Sequence, residues 1–228
     1  MKKLFIFITF ISFISTHLTA SNESHHEECV PEKSPDMKER QFSKEFVGTF
    51  NGKKLAYTAS LKEKILYEKD NPDIPMASFF YTEYIADSDK NRPVMFSFNG
   101  GPGSASLWLH IGALGPKVVK VPSDASDDGS PPYKMVDNKL SPLSDADLVF
   151  IDPIGTGYSR AIGCHDPKEF WGVNEDPKII AEFIRRWIND NKRWNSPRYI
   201  LGESYGGIRG PLLVSELRSG SITPIEVN

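Results

Sequence analysis

The sequence predicts an α/β fold built on a mixed, mostly parallel sheet with flanking helices. Three observations predict it: short apolar segments typical of strands, an amphipathic helix between two of them, and glycine-containing turns after three of them. Early hairpin strands followed by strand–helix–strand units are typical of this class. The composition, 39% hydrophobic and 25% charged, is that of a globular protein and excludes collagen-like and coiled-coil classes.

The individual elements follow from local patterns. Asn51-Gly52 separates two strand-like segments and predicts a hairpin, because this dipeptide suits a two-residue turn. Apolar residues at three-four spacing predict a helix over 178–193, with Asp176 as a cap and Pro177 in the first turn. We expect residues 122–147, rich in Ser, Asp and Pro, to form a long surface loop. The remaining predicted strands cover residues 77–86, 93–98, 147–152 and 198–201.

The N-terminal segment predicts export. A short positive start, the apolar run 4–14 and the small residue Ala20 form the pattern of a secretory signal peptide over residues 1–20. An uncleaved anchor is the alternative, although a membrane span needs about 20 apolar residues. Residues 21–43 are polar and without periodicity, so we expect a mobile leader before a domain at 44–228. The mature protein is expected to be periplasmic or extracellular.

Charge and cysteine content exclude several classes of function. Lys plus Arg number 27 and Asp plus Glu 30, for a net charge of −3, whereas proteins that bind nucleic acid are usually basic. We expect no nucleic-acid partner, no membrane contact after signal cleavage, and no cofactor or metal. His25 and His26 lie beside acidic residues, but no second ligand group follows at metal spacing. Cys29 and Cys164 could pair in an exported protein, and the sequence leaves this open.

Three glycine-containing turns carry the candidate chemistry. The strongest is Gly-Glu-Ser-Tyr-Gly at 202–206, between a strand and a predicted helix, which is the setting of a nucleophile elbow that exposes Ser204. The second, at 99–103, has three glycines whose bare amides could form half of an oxyanion hole or an anion-binding nest. A tight connection without a ligand is the alternative for this turn. The third, at 155–159, also follows a strand, and open sheets place their sites at such carboxyl ends.

Together these motifs resemble the serine carboxypeptidases, which are α/β-hydrolases. The resembling segments, in chain order, are FNGGPGSAS (98–106), DLVFIDPIGTGYSR (147–160) and GESYGG (202–207). Segment 170–197 looks like the bacterial branch of the family. The resemblance runs from about residue 45 to the end and implies an α/β-hydrolase fold that is incomplete at its C-terminal end.

The resemblance also implies roles for residues of the turns. It implies hydrolysis of the C-terminal peptide bond through an acyl-enzyme on Ser204. The oxyanion hole would consist of the amides of Gly101 and Tyr205. The partners would be peptides or proteins with a free C-terminal carboxylate. The residues implied to hold that carboxylate are Asn99, Gly100 and Glu203.

The carboxylate group has a chemical consequence. Glu203 can bind a second carboxylate only when one of the two is protonated, so we expect peptidase activity of any full-length relative to fall as pH rises towards neutral. Replacement by Gln should flatten that fall. The chain also departs from many relatives, with Ser97 in place of Trp and Ser-Ala at 104–105 in place of Cys-Ser. Gly207 and Arg209 differ as well, so substrate side-chain preference is not transferred.

The order of the triad is the main departure from a complete enzyme. α/β-Hydrolases place an acidic residue and then a histidine after the nucleophile, but no Asp or His follows Ser204. His110 is expected to be packed or hydrogen-bonded on a helix, and His165 to lie in a surface loop. The final ITPIEVN (222–228) resembles the start of another strand, so we expect an amino-terminal part of the domain.

Three functions stay open on the sequence. The first is an exported serine carboxypeptidase whose full activity needs the missing triad residues. The second is a non-catalytic module that binds peptide carboxylates. The third is another serine hydrolase or an acyltransferase on the same scaffold. We assign no oligomeric state.

Overall fold

The computed structural model describes residues 29, 33–34, 37–122, 124, 126, 131–219 and 223–228. The predicted signal peptide, the histidine pair at 25–26 and most of the predicted leader lie outside the described residues.

Nine strands and three helices form the described part of the chain. The strands are β1 Gln41–Phe50, β2 Lys53–Tyr67, β3 Pro75–Ala86, β4 Val94–Phe98, β5 Lys117–Val119, β6 Met135–Asp137, β7 Asp147–Ile151, β8 Arg160–Ala161 and β9 Arg198–Gly202. The helices are α1 Leu107–Leu109, which continues as a π-helix over His110–Leu114, α2 Glu175–Asp190 and α3 Gly206–Ser219. Short 3₁₀ turns cover Pro142–Ser144 and Pro167–Phe170.

The main sheet has its parallel strands where the glycine turns lie. Its order is β1-β2-β3-β7-β4-β9, with β8 paired to β3 and β5–β6 forming a separate ribbon. Strands β7, β4 and β9 are parallel, whereas β1, β2 and β3 form an antiparallel half that joins β7. The carboxyl ends of the three parallel strands therefore meet at one edge. The prediction of an α/β fold with a mixed sheet is confirmed.

The predicted hairpin is confirmed. Asn51 and Gly52 have φ angles of 48° and 80°. Positive φ at both central residues is what a type I′ turn requires, and its twist matches the flanking strands β1 and β2. The register therefore pairs these strands antiparallel along the whole length of β1.

The sequence predicts a mobile leader over 21–43. The described residues of this segment are attached to the domain. Strand β1 begins at Gln41, before the predicted boundary at residue 44. Arg40 donates to buried Glu63 at 2.7 Å, and this hydrogen bond holds the pKa of Glu63 below its usual value. The disulfide that the sequence left open is present between Cys29 and Cys164, whose Cα atoms are 5.6 Å apart.

The helix predicted over 178–193 is confirmed as α2, but it begins at Glu175 and ends at Asp190. The predicted cap is wrong: Asn174 occupies the N-cap position and Asp176 lies inside the first turn. The carboxylate of Asp176 accepts a hydrogen bond from Arg209, so it is not available to cap the helix. The predicted apolar stripe packs in the core and consists of Ile179, Ile180, Phe183, Ile184, Trp187 and Ile188.

Two segments differ from the prediction at the level of whole elements. The segment expected to be a loop, 122–147, contains strand β6, which pairs with β5. Some other positions of this segment lie outside the described residues. The sequence predicts the start of a strand over 222–228, and the described residues of that segment, 223–228, form none. Pro224 has no N–H to donate, and the Ile225 N–H donates to Leu217 near the end of α3. The hydrogen bonds of this segment with β9 go to its first residue, Arg198. The Glu226 carbonyl oxygen accepts from the Arg198 side chain at 3.2 Å, and the Asn228 N–H lies 2.8 Å from the Arg198 carbonyl oxygen.

Candidate active site

Ser204 lies on a sharp turn between β9 and α3. Its φ of 55° falls in the left-handed region, which is uncommon for a residue with a side chain and is typical of functional sites. A Cβ atom on Gly202 would clash with the backbone of Gly206, so the turn needs glycine before the serine. The strand–turn–helix setting predicted for a nucleophile elbow is present, and Ser204 is exposed.

The second glycine turn packs directly against this elbow. A Cβ atom on Gly100 would lie 2.5 Å from the Tyr205 nitrogen and 2.6 Å from the Glu203 carbonyl oxygen, so only glycine fits. Gly101 has a φ of 108°, which again favours glycine. Within the described ranges, the N–H groups of Gly100, Gly101 and Tyr205 donate no hydrogen bond to protein. Free amides beside a serine are what an oxyanion hole requires.

Asn99 connects the two turns. Its Nδ2 donates to Glu203 Oε2 at 3.2 Å, and its Oδ1 accepts from the Leu109 N–H at 3.1 Å. Because the second bond fixes which end of the amide faces Glu203, the donor side is directed to the exposed carboxylate. The structure thus brings together the six predicted site residues, Asn99, Gly100, Gly101, Glu203, Ser204 and Tyr205, while their roles stay predictions.

Arg209 lies beneath both turns and received no role from the sequence. Its side chain is 1% exposed, and its Nε donates to Asp176 Oδ2 at 2.6 Å. Its Nη1 donates to the Asn99 carbonyl oxygen at 2.7 Å. The guanidinium lies 5.1 Å and 5.2 Å from the ring centres of Phe98 and Tyr205. Burial raises the pKa of the Asp176 carboxyl, and the charge of Arg209 opposes that rise.

Hydrogen bonds connect the third turn, through Asp152, to the segment that follows the second turn. Ser159 Oγ accepts from the Phe80 N–H at 2.8 Å and donates to the Asp152 carbonyl oxygen at 2.7 Å. Asp152 Oδ1 accepts from the Ser106 N–H at 2.8 Å, and burial raises the pKa of this carboxyl. These bonds make the third turn a structural support at the same sheet edge.

A cavity of about 370 Å³ lies between the second and third turns. Pro102 and Gly103 line one side, and Ile154 and Trp171 line another, with Arg209 also reaching it. A larger cavity of about 550 Å³ lies over β1, β2 and β3, and none of its lining residues belongs to a glycine turn. We therefore associate the smaller cavity with the site.

His110 is packed, as the sequence predicted. Its Nε2 lies 2.6 Å from the Tyr84 hydroxyl, and its ring stacks on Phe150 with centres 4.7 Å apart. Burial lowers the pKa of His110 to about 4, so the ring is neutral above that pH. A neutral ring can accept a hydrogen bond from the Tyr84 hydroxyl at Nε2.

His165 lies between two carboxylates. Its Nδ1 is 2.8 Å from Glu169 Oε2 and its Nε2 is 3.0 Å from Glu68 Oε1. In the part of the chain that the structure describes, Ser204 Oγ hydrogen-bonds to no histidine. The same part contains no group of three His, Cys, Asp or Glu side chains suited to a metal ion, and no helix there is long and apolar enough to cross a membrane.

The mixed sheet, with Ser204 on a sharp strand–turn–helix junction after β9, defines an α/β-hydrolase fold. The family model described as serine carboxypeptidase matches residues 69–224. The chain belongs to the serine carboxypeptidase family. Its placement in the bacterial branch stays a prediction.

The similar proteins share only part of their length with this chain. Serine carboxypeptidase-like 9 of Arabidopsis thaliana is 32% identical over 148 residues, which cover 63% of this chain and 32% of that protein. Serine carboxypeptidase-like 12 of the same organism is 31% identical over 147 residues, with the same coverage. The chain therefore matches about a third of the length of these relatives, 32% in each case.

Two solved structures are similar at a low level. A CIB-like hydrolase from Thermoplasma acidophilum has a TM-score of 0.36 and 20% identity, over 72% of this chain and 60% of that one. The peroxisomal alpha-beta-hydrolase Lpx1 from Saccharomyces cerevisiae has a TM-score of 0.38 and 9% identity, over 82% and 42% of the two chains. The fold assignment rests on the sheet order and the elbow.

Proposed function

We propose that this chain carries the nucleophile, oxyanion and carboxylate-binding part of a serine carboxypeptidase site. The substrates are peptides or proteins with a free C-terminal carboxylate, and Ser204 is the residue that becomes acylated. One observation carries the proposal. The second turn packs against the elbow so closely that Gly100 lacks room for a Cβ atom, which brings free N–H groups beside the serine.

The proposed chemistry uses each of these groups. Ser204 Oγ attacks the last peptide carbonyl, and the resulting oxyanion accepts hydrogen bonds from the N–H groups of Gly101 and Tyr205. Collapse forms the acyl-enzyme, breaks the C–N bond and releases the terminal amino acid. The serine proton must pass to a base and then to the leaving amine. Among the described residues no histidine contacts Ser204, so the proposal includes a base from outside them.

Recognition of the substrate carboxylate is assigned to three groups. Asn99 Nδ2 and the Gly100 N–H donate to it, and a protonated Glu203 donates a further hydrogen bond. Because ionised Glu203 and an ionised substrate repel each other, binding should weaken as pH rises. Glu203→Gln keeps a donor at this position at every pH, so its binding should depend less on pH.

A non-catalytic carboxylate-binding module is the second candidate. The observation that favours it is the preformed Asn99–Glu203 hydrogen bond at 3.2 Å beside a serine without a described base. Such a module needs no proton transfer.

A fluorophosphonate probe tests the proposal on the mature chain, with Ser204→Ala as the matched control. We expect slow labelling that the control abolishes, because a serine without its base is a weak nucleophile. Binding of a free-carboxylate peptide without labelling would favour the binding module. Absence of both would overturn the proposal. Faster turnover of blocked esters than of free-carboxylate peptides would instead favour another hydrolase or acyltransferase.

We also propose that the protein is exported after cleavage at Ala20. The Cys29–Cys164 disulfide supports this, because such bonds persist mainly in oxidising compartments. N-terminal sequencing of the protein from the periplasm or medium should give Ser21 as the first residue. Recovery of only the uncleaved chain, in the cytoplasm, would contradict export.

A further inference from the structure

Arg209 is a buried cation that contacts both turns of the proposed site. It is the fourth residue of α3. Its guanidinium lies over the rings of Phe98, which precedes one glycine turn, and Tyr205, which follows Ser204. Its two hydrogen bonds go to Asp176 on α2 and to the backbone of Asn99. One side chain therefore joins α2, α3 and the end of β4.

The bond to Asn99 acts on the neighbouring amide. The carbonyl of Asn99 and the N–H of Gly100 belong to one peptide group, which is planar and trans, so the two point in opposite directions. Because Arg209 Nη1 holds the oxygen at 2.7 Å from beneath the turn, the Gly100 N–H is directed away from Arg209. That N–H has no hydrogen-bond partner in the described part of the chain.

Asp176 sets the orientation of the guanidinium. It accepts from Nε at 2.6 Å, which leaves Nη1 to reach Asn99. The fork of an arginine can make both bonds at once, whereas the single ammonium of a lysine is a point charge without this geometry. Filling this volume with two apolar side chains would avoid the desolvation of two charges. Packing alone therefore gives no reason for an ion pair here.

We propose that Arg209 is a positioning residue, which aims the Gly100 N–H at the terminal carboxylate of the substrate through its hydrogen bond to the Asn99 carbonyl. This inference rests on the proposed function. Arg209 acts on the carboxylate through the Asn99–Gly100 peptide group, so its effect should appear in the recognition of the carboxylate. An amidated peptide, which does not depend on that recognition, should be much less affected.

The test measures how strongly the mature chain prefers a free carboxylate. Calorimetry gives dissociation constants for an N-acetylated peptide and for its C-terminal amide, and their ratio is the readout. Arg209→Met and Arg209→Lys should each reduce the ratio about tenfold, as expected for loss of one hydrogen bond to a charged group. Asp176→Asn, which keeps an acceptor for Nε, should retain more of the ratio than either.

Arg186→Met is the matched control, because Arg186 is a half-buried arginine that pairs with Glu182 and contacts neither turn. It should leave the ratio unchanged. If a single variant of Arg209 does not fold, the double variant Asp176→Leu/Arg209→Met removes both buried charges and must show the same loss. A folded variant with the full wild-type ratio overturns the positioning role alone. A wild-type chain without any preference overturns the proposed function and this inference together.

Discussion

Gly100→Ala is the sharpest perturbation of the contact between the two turns. The new Cβ would lie 2.5 Å from the Tyr205 nitrogen and 2.6 Å from the Glu203 carbonyl oxygen. Both neighbours are backbone atoms, so they cannot rotate away as a side-chain end could. Overpacking of this kind costs about 1–3 kcal/mol, and we expect the upper part of that range. Relief of the clash should also move the second turn away from Ser204, together with its free amides. Binding of a free-carboxylate peptide should then weaken.

The assay is urea denaturation of the mature chain, with Gly210→Ala as the control. Gly210 lies inside α3 with nothing within 4 Å of an added Cβ, so alanine there should stabilise the helix by about 0.5–1 kcal/mol. The two variants should therefore move the unfolding free energy in opposite directions. Equal stability of Gly100→Ala and the wild type, with unchanged peptide affinity, would refute the close contact of the turns.

Three further predictions concern stability. The disulfide between Cys29 and Cys164 joins residues 135 apart, so replacing both by Ser should lower stability by up to about 5 kcal/mol; an unchanged melting temperature would contradict this. Burial lowers the pKa of His110 from 6.5 to about 4. The unfolded chain therefore binds the extra proton first, and the unfolding free energy should fall by about 3 kcal/mol as pH drops between those values. Denaturation curves of His110→Gln should lack most of that fall. The Ser97 hydroxyl is buried with no hydrogen-bond partner among the described residues, so Ser97→Ala should be neutral or stabilising by about 1 kcal/mol; clear destabilisation would show that the hydroxyl has a partner.

Local signals account for the parts of the fold that the sequence predicted well. The Asn51-Gly52 hairpin depends on two adjacent residues that tolerate positive φ, and the structure has both. The sharp turn at Ser204 likewise depends on local sequence, with a glycine two residues to each side, between a strand and a helix. Hydrophobic spacing predicted α2 because its buried stripe repeats every turn.

Long-range contacts account for the parts that the sequence could not give. Asp is a residue type that favours the N-cap, and Asp176 lies close to the start of α2. Its carboxylate instead pairs with Arg209, which lies 33 residues further along the chain. The same contact gives Arg209 a structural role that its neighbours in the sequence do not indicate. The N–H of Ile225 donates to α3 and not to β9. The apolar pattern of segment 222–228 therefore predicted a strand that does not form. The spacing of residue types along the sequence does not indicate any of these hydrogen-bond partners.

We propose that residues around Ser204 form a site for a terminal carboxylate. The most direct test is a nuclear magnetic resonance titration of the ¹⁵N-labelled mature chain with an N-acetylated peptide that has a free carboxyl end. We predict saturable shifts of the Gly100 and Tyr205 amides and of the Asn99 side-chain amide, and much smaller shifts with the amidated peptide. Equal shifts with both peptides, or none at these three positions, would contradict the account.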